Sequence, residues 1–158
     1  MIEQLVFECI KEHKGGEKFF DALDKQIVET SELYSLLLQK SKQILPNNST
    51  TFITSGKFGK VYGEWLIENG FNCVILEGSL RFNDIENIQQ YKDKINHKLC
   101  VFIDDSYFAG RTYNKVRKMV SDLNGCTMGC IVAYDGSKEY HSDVLSLFRY
   151  YDYFGEEY

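Results

Sequence analysis

The chain reads as an α/β fold: a parallel sheet with helices on both faces. Two observations lead there. Runs of strand length recur at 51–54, 71–76, 99–103 and 128–134; the first is β-branched, and those at 99–103 and 128–134 are apolar nearly throughout rather than alternating with polar residues. That is the pattern of strands buried on both faces. Between them, apolar residues recur at helical spacing, as in Val61, Trp65 and Leu66 and again in Val116, Met119, Val120 and Leu123. Strand–helix alternation of this kind builds a parallel sheet through right-handed crossovers.

Bulk properties agree with one domain. The chain has 158 residues, 44% hydrophobic and 26% charged, which is ordinary globular composition with room for a proper core. A net charge of −5 disfavours general nucleic-acid binding. No apolar run reaches membrane-spanning length and no signal peptide opens the chain, so no membrane association is expected. The five cysteines are odd in number, and Cys73, Cys100 and Cys130 sit inside apolar runs as small core residues. Cys126 and Cys130 do not make a zinc pattern without further ligands, so no metal ligands are assigned. A reduced, cytoplasmic setting fits these thiols.

The first 50 residues read as helical. Ile2, Leu5, Val6 and Ile10 mark one helix up to His13, and Gly15-Gly16 breaks it. Phe19, Phe20, Leu23 and Ile27 mark a second, over 17–28. Thr30 or Ser31 then caps a third, with Glu32 in its first turn and Leu33, Leu36, Leu37 and Ile44 along it. Pro46, the only proline, ends this region, which is expected to be an appendage to the sheet.

The first core strand follows at 51–54, β-branched and short. Ser55-Gly56-Lys57-Phe58-Gly59-Lys60 leads into a helix that stops at Asn69-Gly70. The spacing is neither a P-loop nor a dinucleotide fingerprint. By itself the segment is as good a plain turn as an anion-binding loop. The second strand at 71–76 gives way to a polar stretch at 77–98, in which Ile85 and Ile88 start a short helix and Arg81, Lys92 and Lys94 supply positive charge.

The central stretch carries the chemistry. Leu99-Cys100-Val101-Phe102-Ile103 is a buried strand, Asp104-Asp105 close it, and Ser106-Tyr107-Phe108-Ala109-Gly110-Arg111-Thr112 turns into a helix. Ligands in open α/β sheets sit at the C-terminal ends of strands. N–H groups at a helix start, with the Thr112 hydroxyl, make a seat for phosphate. Two carboxylates accept hydrogen bonds from sugar hydroxyls or face a hydrated Mg²⁺. The plainer reading is a solvated acidic pair that caps the next helix. A fourth strand at 128–134 and the turn Tyr134-Asp135-Gly136-Ser137 follow. The tyrosine-rich tail, with Val144, Leu145, Leu147 and Phe148, reads as a cap over the sheet edge or as a packing or dimer face. The resulting division is 1–50 helical, 51–134 core and 135–158 cap.

Hydrophobic strand, two acids, two mostly apolar positions, small residues, Gly, any residue, Thr: this order resembles the PRPP-binding signature of type I phosphoribosyltransferases. Val101 to Thr112 carries it. The resemblance implies a type I phosphoribosyltransferase-like fold over roughly 51–134. It implies transfer of ribose 5-phosphate from PRPP to a nitrogenous base, with release of pyrophosphate. The catalytic Asp104 and Asp105 would hold the ribose hydroxyls. Ala109, Gly110, Arg111 and Thr112 would hold the 5′-phosphate, and Ser55, Gly56 and Lys57 the pyrophosphate. Mg²⁺ would arrive bound to PRPP. The base would meet a hood drawn from the terminal segments, with Tyr134, Asp135, Tyr140 and Phe148 as contacts. The partners implied are therefore small molecules, PRPP and a base, and a homodimer is common among similar proteins. One position departs from the pattern: Phe108 stands where the family usually has Thr, Asp or another small residue. The alternative implied is a non-catalytic relative that binds PRPP or a nucleotide, or that acts through protein interaction.

Overall fold

A computed structural model describes residues 31–44 and 50–149. The helices expected over 1–13 and 17–28, the break at Pro46 and the tail beyond 149 lie outside the described residues. Within them the order is α1 (Ser31–Ser41), β1 (Thr50–Ser55), α2 (Gly56–Glu68), β2 (Asn72–Leu76), a 3-10 turn (Ile88–Tyr91), α3 (Lys92–Ile95), β3 (Leu99–Tyr107), α4 (Arg111–Asp122), β4 (Cys126–Asp135) and β5 (Val144–Arg149).

All five strands pair in parallel, in the order β2-β1-β3-β4-β5. The two-residue period sends alternate side chains to opposite faces. Phe52, Val101, Ile103, Ile131 and Ala133 face α1 and α2, where Leu33, Leu37, Phe58, Tyr62 and Leu66 are buried against them. Ile53, Val74, Cys100, Phe102 and Val132 face the other way, onto Ile95 and the Val116, Met119 and Val120 stripe of α4. The sheet is thus covered on both sides, as the apolar strands require. α2 lies very close to it: a Cβ on Gly63 would stand 2.5 Å from the Ile75 side chain.

Two expectations need correcting. The acidic pair does not end its strand, because β3 runs on to Tyr107. β4 is long enough to pair with it there, with Ser106 opposite Tyr134 and Tyr107 opposite Asp135. Nor is the segment after 135 only a cap. Val144–Arg149 is a fifth parallel strand, paired with β4 from Cys130–Val144 to Asp135–Arg149. Its run Val-Leu-Ser-Leu-Phe is dense in apolar residues but short, and a short apolar run is ambiguous until β4 offers an edge.

Candidate functional site

The strand order reverses at β1: β2 lies to one side of it and β3 to the other. In open α/β sheets the crevice outside such a switch point is where ligands bind. A cavity of about 1280 Å³ occupies it here. Its walls come from the β1–α2 junction, the segment after β2 and the β3–α4 connection.

The nine residues assigned to ribose, phosphate and pyrophosphate all line this one cavity. Asp104 and Asp105 reach it from β3, and Ala109, Gly110, Arg111 and Thr112 from the turn into α4. Ser55, Gly56 and Lys57 reach it from the start of α2. The two groups are more than forty residues apart in sequence, and the β1–β3 pairing brings them together.

Local geometry suits an anion at the α4 end. Gly110 holds φ +78, the left-handed region that favours glycine. No side-chain hydrogen bond caps α4 at Gly110. The first-turn N–H groups of Arg111, Thr112 and Tyr113 lack intrahelical acceptors and carry the positive end of the helix dipole. Tyr107 closes over the turn: a Cβ on Gly110 would stand 2.6 Å from its hydroxyl. Asp104 and Asp105 are half-buried. The Asp105 N–H donates to Asp104 Oδ1 at 2.8 Å, and Ser106 Oγ donates to Asp105 Oδ1 at 3.3 Å. At the α2 end Gly56 is also left-handed, φ +73, and its N–H donates to the Gly78 carbonyl at 3.1 Å. Ser55 is buried and Lys57 is exposed.

The cavity floor is apolar, with Phe102, Cys130 and Tyr113. Burial pushes the Cys130 thiol well above its ordinary range, and the carboxylates of Asp104, Asp143 and Asp135 add to the effect. The Tyr113 phenol is pushed up by burial and then by Asp143, to whose Oδ2 it donates at 3.0 Å. Both groups are neutral parts of the floor at ordinary pH.

Phe108 packs against the core behind the turn. Its ring meets Tyr134 edge-on and packs against the α1–α2 side of the sheet, while one flank stays at the cavity wall.

Other sequence candidates fall elsewhere. Lys94 Nζ donates to the Cys73 carbonyl on the β2 edge at 3.2 Å, and neither it nor Lys92 lines the cavity. Tyr134, Asp135, Tyr140 and Phe148 do not line it either. Tyr134 and Phe148 are buried in the core. Asp135 accepts from the Ser137 N–H at 2.8 Å and Oγ at 2.6 Å, with Arg149 Nε at 3.7 Å. Pairing of β5 with β4 draws Tyr134, Asp135 and Phe148 into the body of the fold, whereas Tyr140 is 74% exposed. Sequence reasoning missed the α2 wall, where Lys60, Val61 and Glu64 line the cavity beside Lys57. Their spacing of three, four and seven from Lys57 is one helix face, a signal present in the sequence. It also missed Phe82, which is 78% exposed at the cavity rim beside Arg81.

The described residues hold no cluster of three or more His, Cys, Asp or Glu able to cage a metal ion, and no helix among them is long and apolar enough to cross a membrane. No protein family model and no curated protein sequence matches the chain. Solved structures do. The adenine phosphoribosyltransferase of Thermoanaerobacter pseudethanolicus superposes with a TM-score of 0.55 at 14% identity, over 79% of this chain and 84% of that one. The orotate phosphoribosyltransferase of Aeropyrum pernix superposes with a TM-score of 0.56 at 13% identity, over 90% and 78%. The adenine phosphoribosyltransferase of Leishmania donovani gives 0.56 at 13%, over 78% and 67%. At these identities the likeness is one of fold.

Proposed function

Since the chain has the type I phosphoribosyltransferase fold, we propose that it transfers ribose 5-phosphate from PRPP to a nitrogenous base and releases pyrophosphate. One observation carries this reading. Two carboxylates, a left-handed glycine at an uncapped helix start and a second Gly-Lys helix start line one cavity at the switch point of the sheet. A diol, a terminal phosphate and a second phosphate group would find complementary partners there.

In this reading Asp104 and Asp105 accept hydrogen bonds from the ribose hydroxyls. The N–H groups after Gly110 and the Thr112 hydroxyl bind the 5′-phosphate. Lys57 and the start of α2 offset the charge of the leaving pyrophosphate. As pyrophosphate departs, the ribose carbon becomes cationic. The residues then act mainly by placing charge and excluding water, which favours the transition state over the bound substrate. The carboxylate pair also suits Mg²⁺ that arrives with the polyphosphate, since Mg²⁺ keeps much of its water and needs few protein ligands. Bound there, the ion would neutralise phosphate charge.

A second reading is a non-catalytic binder of PRPP or a nucleotide. Phe108 favours it, because this side chain brings no oxygen to a turn where the related signature usually carries a small residue. Calorimetry with PRPP, with and without Mg²⁺, tests both readings on the wild type and on Asp104→Asn/Asp105→Asn. Saturable binding lost in the double variant is the expected result. Pyrophosphate release across a panel of bases then separates enzyme from binder. No binding of PRPP or of any nucleoside monophosphate overturns both.

A further inference from the structure

The segment after β2 lines the cavity and is held at both ends. At its start the Gly78 carbonyl accepts the N–H of Gly56, at 3.1 Å. At its far end the polar holder is Lys115 on α4. Its Nζ donates to the Leu80 carbonyl at 2.8 Å and the Asn83 carbonyl at 3.0 Å, and stands 3.5 Å from Asp84 Oδ1. Two of the ammonium group's three donors are thus used on one loop, with the Asp84 carboxylate of the same loop as a nearby opposite charge. The Lys115 side chain is 29% exposed, whereas Asp84 is 92% exposed, so the carbonyls rather than the ion pair carry the tether. Leu80 is buried in the α4-side core and anchors the same end. Between the anchored points Arg81 and Phe82 stand at the cavity wall.

From these contacts we infer that Lys115 is a positioning residue. It holds the 79–84 loop as a fixed wall across the mouth of the cavity, so that Arg81 faces a bound polyanion without first having to be ordered. The inference rests on the proposed PRPP site for the identity of the anion, but not for the tether itself. Ordering a loop costs conformational entropy at the moment of binding. A tethered loop has already met that cost on folding. Loss of Lys115 therefore weakens binding of the anion, while the carboxylates and helix starts that meet the ribose and its phosphate stay where they are. The effect belongs in Kd and KM, with kcat changed less.

The test compares Lys115→Met, Lys115→Arg and, as a control on the same helix, the exposed Lys118→Met. Circular dichroism checks folding, and Lys115→Gln replaces the Met variant if that one does not fold. Trypsin cleavage after Arg81, followed by mass spectrometry on the ligand-free protein, reads the tether. Cleavage is expected to be roughly tenfold faster in Lys115→Met, near wild type in Lys118→Met and intermediate in Lys115→Arg. Calorimetry with Mg²⁺–PRPP is expected to show roughly tenfold weaker binding in Lys115→Met with partial recovery in Lys115→Arg. Unchanged cleavage in Lys115→Met overturns the tether. Faster cleavage with unchanged PRPP affinity overturns the positioning role and leaves the PRPP site standing. If the wild type does not bind PRPP, the proposed function and the positioning role fall together, and the cleavage rates still decide the tether.

Discussion

The ring of Phe108 stands edge-on to that of Tyr134, with centroids 5.7 Å apart and planes at 67°. The bulky residue in the β3–α4 turn is therefore satisfied by the core behind it. An edge-to-face pair contributes about 0.5–1.5 kcal/mol beyond area burial. Phe108→Ala is expected to lower stability by about 2 kcal/mol, less than a fully buried Phe because one flank is solvated. PRPP affinity should change by less than about threefold, a fraction of a kcal/mol. Urea unfolding and calorimetry on the same sample check this. A large loss of affinity with stability intact would instead put the ring in the ligand's seat.

The left-handed glycines at the two helix starts of the site differ in what surrounds them. A Cβ at Gly56 would meet nothing within 4 Å, whereas one at Gly110 would stand 2.6 Å from the Tyr107 hydroxyl. Gly56→Ala should cost only the backbone penalty, about 1–2 kcal/mol. Gly110→Ala should cost that and also displace Tyr107. Removing the hydroxyl in Gly110→Ala/Tyr107→Phe is expected to recover part of the loss. A double-mutant cycle in urea unfolding measures the coupling, and strict additivity would contradict the contact.

Asp135 and the pair Asp104/Asp105 should separate stability from binding. Asp135 is 3% exposed, accepts two hydrogen bonds from Ser137 and faces Arg149, yet it does not line the cavity. Asp135→Ala leaves donors buried without that acceptor and is expected to cost about 3 kcal/mol, with PRPP affinity kept in the folded fraction. Asp104→Asn/Asp105→Asn is expected to do the reverse. The amide introduced by Asp104→Asn keeps an oxygen for the backbone N–H of the next residue, so the fold stays near wild type while ribose binding fails. Melting curves beside calorimetry test the pair of outcomes.

Stability should fall in alkali, and buried thiols set the onset. Burial pushes Cys73 up to about 11 and Cys100 up to about 12. These groups bind their protons more tightly in the folded chain than in the unfolded one, whose thiols titrate at about 8.5. Their contribution is complete below that value and is lost as pH rises through the folded values. Each thiol in this window removes about 1.4 kcal/mol per pH unit. The melting temperature should hold from neutral pH to about 8.5 and then decline. The decline should be shallower in Cys73→Ala, once that variant's lower starting stability is allowed for.

The α/β class, the four runs that become β1 to β4 and the residues of the β3–α4 turn were legible in the chain itself. Their signals are local: an unbroken apolar run, a helical period, a glycine before a helix start. The nine site residues were named from such signals and from a resemblance, and their meeting around one cavity depends on the β1–β3 pairing. Only the tertiary structure decided that meeting, because a parallel register joins residues about 50 apart through backbone hydrogen bonds that no local pattern encodes. It also decided that Val144–Arg149 is a strand, since a short apolar run becomes one when a neighbouring edge has unpaired N–H and C=O groups to satisfy. The same pairing drew Tyr134, Asp135 and Phe148 away from the role of base contacts and into the body of the fold. Lys115 shows the limit most plainly. In sequence it is one lysine on an amphipathic helix. Its role comes from two carbonyls more than thirty residues away, and carbonyls are carried by every residue alike.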